Sequence, residues 1–153
     1  MKKCWLVCFS VLMLAGCLVT IPKPDFSSEF EGFRGYKWGT SIEDVRNELV
    51  SEGVDEKRQV EWFTKKNEKL KIGKADLESI SYVFQDGNFI AVSIVSKGES
   101  NFEILREELK KQFGKTESEK PDAFTWDLEH ATILFNYNRP SEVTMLVIRA
   151  KGY

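Results

Sequence analysis

ISYVFQDGNFIAVSIV, residues 80–95, is the stretch that decides the fold. Two runs of β-branched and aromatic residues flank Asp86-Gly87, a pair suited to a two-residue turn with positive φ at both positions. Ile90, Val92 and Ile94 alternate in the second run, which places them on one face of a strand. The stretch therefore predicts an antiparallel hairpin with one buried face. ATILFNYN (131–138) and EVTMLVIR (142–149) predict a second hairpin, turning at Arg139-Pro140. EWF (61–63) and FTW (124–126) are weaker strand signals.

Helical patterns precede both hairpins. In TSIEDVRNELVSEG (40–53), Thr40 or Ser41 serves as N-cap, with Glu43 or Asp44 three residues on. Ile42, Val45 and Leu49 share a face, and Gly53 suits the left-handed position after a helix. SNFEILREELKKQFG (100–114) repeats the plan. Ser100 caps, Glu103 completes the capping box, and Phe102, Leu105, Leu109 and Phe113 form the stripe. Lys110 and Lys111 suit the negative end of the helix dipole, and Gly114 closes the helix.

Aligning Ser41 with Asn101 superposes SIEDVRNEL on NFEILREEL and gives Trp62 a counterpart in Trp126. Amphipathic helices resemble one another by necessity, but the surface identities Glu43/Glu103, Arg46/Arg106 and Glu48/Glu108 are not so required. They point to a duplication. The expected fold is α+β: one domain over 33–153, made of two helix-plus-antiparallel-strand units (about 36–97 and 98–153). Both helices are expected to pack on one face of an antiparallel sheet.

The 153 residues are 30% charged and 42% hydrophobic, with 11 Phe, 4 Trp and 4 Tyr to build a core. Without Lys2 and Lys3, residues 18–153 carry a net charge of −4. A mildly acidic domain lacks the basic surface that nucleic-acid binding requires, so no nucleic-acid partner is expected.

The N-terminus has the parts of a secretion signal, expected over 1–16. Lys2-Lys3 is the positive region, Trp5–Leu14 the apolar region, and Ala15-Gly16 the small residues before a cleavage point. Leu14-Ala15-Gly16-Cys17 resembles the lipobox of bacterial lipoproteins. The resemblance implies diacylation of Cys17, cleavage before it and acylation of the new amino terminus. The competing reading is an uncleaved membrane helix from Cys4 to Ile21, weakened by Gly16, Thr20 and Pro22. With Cys4 and Cys8 lost in the signal, the mature chain keeps no cysteine for a disulfide or a thiolate metal site. Residues 17–32, with Pro22 and Pro24 and no hydrophobic period, read as lipid anchor and flexible tether. Leu18 after the anchor resembles enterobacterial sorting to the outer membrane. The expected location is thus extracytoplasmic, facing the periplasm where the cell has two membranes.

YKWGTSIEDVRNEL (36–49) resembles the helix start of small bacterial lipoproteins, among them the accessory lipoprotein of the outer-membrane β-barrel assembly machine. The helix-then-hairpin order, taken twice, is similar to the β-lactamase-inhibitor-protein fold. The resemblance implies action by binding other proteins, without chemistry.

Little in the chain suggests chemistry. His130, the only histidine, sits in DLEHAT at an expected turn, and no serine lies in a Gly-x-Ser-x-Gly elbow. The pairs Glu43/Asp44, Glu107/Glu108 and Glu117/Glu119 fall on polar faces or in a loop. Gly32, Gly35 and Gly39 have no Lys-Ser/Thr after them, as a phosphate loop would need. No catalytic, cofactor or metal residue is expected. KKNEKLKIGK (65–74) carries Lys65, Lys66, Lys69, Lys71 and Lys74, a solvated rim or a contact surface for anionic lipid head groups. Of the aromatics entering the domain, Trp38 is expected to pack beneath the first helix. Phe26 and Phe30, in the tether, are candidate partner contacts. The expected function is that of a non-catalytic envelope lipoprotein acting by protein–protein interaction or envelope maintenance. The alternative is a small-ligand or lipid carrier using space between helices and sheet, and an envelope hydrolase comes third.

Overall fold

The computed structural model describes residues 31–153. The expected signal peptide, Cys17, Phe26 and Phe30 lie outside that range. β1 (Gly32–Phe33) and β2 (Tyr36–Lys37) form a small hairpin. The single helical turn α1 (Ile42–Val45) runs into a 3-10 turn at Arg46–Glu48. β3 (Leu49–Asp55) and β4 (Val60–Lys65) follow, then a miniature hairpin of β5 (Lys71–Ile72) and β6 (Ala75–Asp76). β7 (Ser79–Gln85) and β8 (Asn88–Lys97) lead to α2 (Glu99–Phe113). The chain ends with β9 (Ser118–Lys120), β10 (Ala123–Asp127), β11 (Ala131–Asn138) and β12 (Val143–Ala150). Eight strands form one antiparallel sheet in the order β3-β4-β7-β8-β12-β11-β10-β9. The β7–β8 and β11–β12 hairpins therefore meet in the middle, where β8 pairs with β12 from Val143↔Lys97 to Arg149↔Ala91.

This corrects the expected α+β architecture of two helix-plus-strand units. Half of the described residues are strand and 18% helix. The first expected helix, 40–53, is one turn. Ser41 caps it, its Oγ accepting from the Glu43 N–H at 3.3 Å. Val45 then leaves helical geometry at φ −123°. Leu49 onward is strand, and Gly53, expected to end a helix, pairs with Trp62 instead. A helix this short is marginal alone, and Val50, Ser51, Gly53 and Val54 are weak helix formers, so pairing with β4 prevails. The Trp62–Trp126 equivalence also fails. Trp126 is 1% exposed in the core, whereas Trp62 sits next to the core residue Phe63 and faces the other side of the sheet.

α2 matches its pattern except at the start. Gly98 is the N-cap, with no side-chain cap, and Glu103 pairs with Arg106 rather than closing a capping box. The Gly114 N–H donates to the Lys110 carbonyl at 2.8 Å. The β7–β8 turn has φ 50° at Asp86 and 75° at Gly87, as the two-residue turn requires. The alternation in β8 is interrupted, because Phe84 pairs with Phe89 while Val83 pairs with Ala91. Ile90 is the extra residue of this bulge, and Phe89 joins Val92 and Ile94 in the main core.

One face of the sheet carries that core. Phe63, Tyr82, Phe84, Phe89, Val92, Ile94, Leu146, Ile148, Ile133, Phe135, Phe124 and Trp126 are each at most 3% exposed. The buried residues of α1 (Ile42, Val45) and α2 (Phe102, Leu105, Leu109) belong to the same cluster. Phe102 stacks on Tyr137 (ring centroids 4.6 Å apart) and on Phe135 (5.2 Å). These rings pack between α2 and the sheet.

Candidate functional site

The side of the sheet opposite the core is the candidate site. Strand registers place its side chains in three rows. One runs Trp62–Val83–Ala91–Arg149–Thr132–Asp127. The central row runs Ser81–Ser93–Val147–Leu134–Thr125, and the third Ser79–Val95–Met145–Asn136–Ala123. Only Arg149 and Asp127 in these rows are charged, in a chain that is 30% charged. Leu134 is 45% and Met145 48% exposed, while Trp62, Val83, Val95 and Val147 are half-buried. At the β3 edge, Val50 is 49% exposed, and the Ser81 hydroxyl donates to the Glu52 carboxylate at 2.8 Å. Six strands spaced by about 4.8 Å make a surface about 24 Å wide. Its middle is built from serine, valine and alanine, so a flat partner surface can approach the backbone closely. No described helix covers this face, since α1 and α2 contribute to the core on the other side.

The alternation that creates this face is visible in ATILFNYN and EVTMLVIR. The sequence signal for the site was the residues of those runs that are not core: Leu134, Met145 and Val147. That signal is silent on its own, because an apolar residue in a strand carries no mark of which side a helix will cover.

The five candidate lysines do not form one free cationic surface. Lys65 pairs with Glu48 at 2.9 Å and lies 4.2 Å from the Tyr36 ring centre. The Lys66 ammonium donates to the Asn47 carbonyl at 2.8 Å, and Lys71 pairs with Asp76 at 2.7 Å. Lys69 and Lys74 are exposed in the same loop region. That region is pinned from below. Arg34, at the β1–β2 turn, donates to Glu68 (2.5 Å) and to the carbonyls of Lys69 and Lys71. The Tyr82 hydroxyl donates to the other Glu68 oxygen at 2.6 Å. Burial, followed by the Glu68 carboxylate, pushes the Tyr82 phenol well above the usual tyrosine range.

His130 lies beside Trp38, Tyr153, Lys37, Lys151 and Glu31 around an open pocket of 270 Å³. Trp38 is half-buried against Phe89, with ring centroids 4.9 Å apart. Lys151 pairs with Asp127 at 2.6 Å and holds that carboxyl below the usual aspartate range. Among the described residues, no group of three His, Cys, Asp or Glu side chains is placed to hold a metal ion. Among the same residues, no helix is long and apolar enough to cross a membrane. No protein-family model, no curated protein and no solved structure matches the chain.

Proposed function

We propose that this protein is a lipid-anchored, non-catalytic docking protein of the bacterial cell envelope, holding a folded protein partner against the open face of its sheet. The single observation that carries the reading is the makeup of that face. Six strands present small and apolar side chains to solvent where a monomer's surface ordinarily presents charge. A contiguous band containing Trp62, Val147, Met145 and Leu134 gains free energy when a partner covers it, at about 25 cal/mol per Å² of apolar area. The serines and threonines among them supply hydrogen bonds at low conformational cost. The lipobox-like Leu14–Cys17 supports an envelope location, with acyl chains on Cys17 restricting the search for a partner to the membrane surface.

The test places a photo-crosslinking residue at Leu134 in the full chain in cells. The expected result is an adduct with one envelope protein. Ser93→Arg, in the centre of the face, should cut that adduct at least tenfold with the melting temperature little changed, because this half-buried strand position points away from the core and leaves a long side chain free to reach solvent. An adduct of equal yield in Ser93→Arg overturns the docking face. Cys17→Ser should leave an unprocessed, unlipidated precursor, and incorporation of labelled palmitate into that variant overturns the anchor.

A further inference from the structure

Arg149 is the one cation in the three rows of the open face. Its neighbours Ile148 and Ala150 are buried, so strand alternation turns Arg149 to the open side, where it is exposed. The other five arginines of the chain, Arg34, Arg46, Arg58, Arg106 and Arg139, are each held by a carboxylate. Arg149 has no such partner among the described residues. The nearest acid in its row, Asp127, stands two strands away across Thr132. That carboxylate is already engaged: it pairs with Lys151 at 2.6 Å and accepts from the Thr132 hydroxyl at 3.1 Å. Arg149, Lys151 and Asp127 thus leave this end of the face with a surplus positive charge, in a chain of net charge −2.

We propose that Arg149 sets the specificity of the docking face, and that the partner protein lays an aspartate or glutamate carboxylate against it beside an apolar patch. The inference rests on the docking function proposed for this face and names the chemistry of the partner. Its physical basis is desolvation. Val147 is two residues from Arg149 on the same strand, about 7 Å away, so a partner covering Val147 and Leu134 also strips water from the guanidinium. A cation deprived of water is strongly unfavourable unless a counter-charge meets it, and Asp127 is taken. A carboxylate on the partner supplies that charge, and the planar fork of arginine binds it through two parallel N–H donors. A partner with a lysine or arginine at that place is repelled, and one with only apolar surface leaves the guanidinium buried and unpaired.

The placement of Arg149 also gives the complex an orientation. Apolar attraction at Val147, Leu134 and Met145 is non-directional and fixes no register between two flat surfaces. One bidentate ion pair at the end of the face fixes it. The side chains beside Arg149 on the adjacent strands, Ala91 and Thr132, are both short, so a carboxylate can reach the guanidinium from the partner's side.

The experiment uses the full chain in the cells that make it, with the photo-crosslinking residue at Leu134 and, in a second arm, a carbodiimide. The carbodiimide activates a carboxylate, an amine in contact displaces the activating group as a urea, and an amide bond remains. Arginine does not react in this way, whereas Arg149→Lys puts a primary amine at the proposed contact. The expected product joins position 149 to an aspartate or glutamate of the same protein that the Leu134 probe captures, as read by mass spectrometry of the linked peptides. Arg149→Gln should cut the Leu134 adduct at least tenfold with the melting temperature kept, because the amide has neither the charge nor the fork. A Leu134 adduct undiminished by Arg149→Gln, or accompanied by no link from position 149, overturns the carboxylate contact and leaves the docking face standing. A link from position 149 only to carboxylates of this chain overturns it as well. Absence of any Leu134 adduct in the natural sequence overturns the docking face and the inference together.

Discussion

Arg34 shows how much one side chain can decide. Its backbone is left-handed at φ 45°, and its guanidinium ties the first hairpin to the loop before β5 through Glu68 and two carbonyls. Both side chains of the ion pair are 11% exposed. Removing one partner leaves a buried charge without compensation, so Arg34→Ala should cost about 3–5 kcal/mol, measured by urea denaturation. Glu68→Gln should cost less, because the amide still accepts from Tyr82. A second prediction follows from Tyr82. Its unfolded phenol ionises near pH 10, whereas the buried one holds its proton to higher pH. The associated stability is complete below about pH 10 and is lost as pH rises above it, by about 1.4 kcal/mol per pH unit. Tyr36 is shifted the same way, chiefly by burial. Urea midpoints between pH 9 and 11 should fall steeply, and less steeply in Tyr82→Phe. Neither network was legible in the sequence. Arg34 and Glu68 are 34 residues apart, and Glu68 stands in a lysine-rich run whose pattern suits a solvated rim or a head-group contact surface.

At the scale of elements, the β8–β12 seam joins the two hairpins that the sequence revealed. Ser96 and Thr144 face each other across it, 1% and 0% exposed, and neither hydroxyl has a hydrogen-bond partner among the described residues. A buried hydroxyl without a partner costs about 1–3 kcal/mol, and valine keeps the shape of threonine without that cost. Thr144→Val should therefore raise the melting temperature, as read by scanning calorimetry, and a fall would show that the hydroxyl is satisfied in solution. α2 and the Asp86-Gly87 hairpin were readable because their signals are local: a stripe with period 3.6 and a dipeptide suited to positive φ. The first expected helix gives way to strand after one turn because the deciding interaction is with β4, a partner that local pattern does not reveal. β5–β6 was missed for a related reason. Its strands are two residues long, and they bury Ile72 and Ala75 in the core, with β6 set against α2, at the end of an apparently charged run.

For the whole molecule, the single core cluster contains residues from Phe33 to Ile148 and draws on both ends of the sheet. Cooperative unfolding is the expected outcome: ring-sensitive near-UV and backbone-sensitive far-UV signals should give coincident urea midpoints. Two separated transitions would show that the hairpins on either side of β8–β12 fold independently.

The sequence by itself determined the positions of six of the eight strands of the main sheet, the long helix, the two central hairpins and the mild acidity, because each rests on neighbours along the chain or on composition. Only the tertiary structure decided that Leu49 begins a strand, that Trp62 and Trp126 point to opposite sides, and that both described helices settle on one side of an eight-stranded sheet. Strand alternation separates two faces but does not label them. Which face becomes core depends on where α1 and α2 settle, a matter of packing between segments distant in sequence, and that choice leaves Val147, Leu134 and Met145 at the surface.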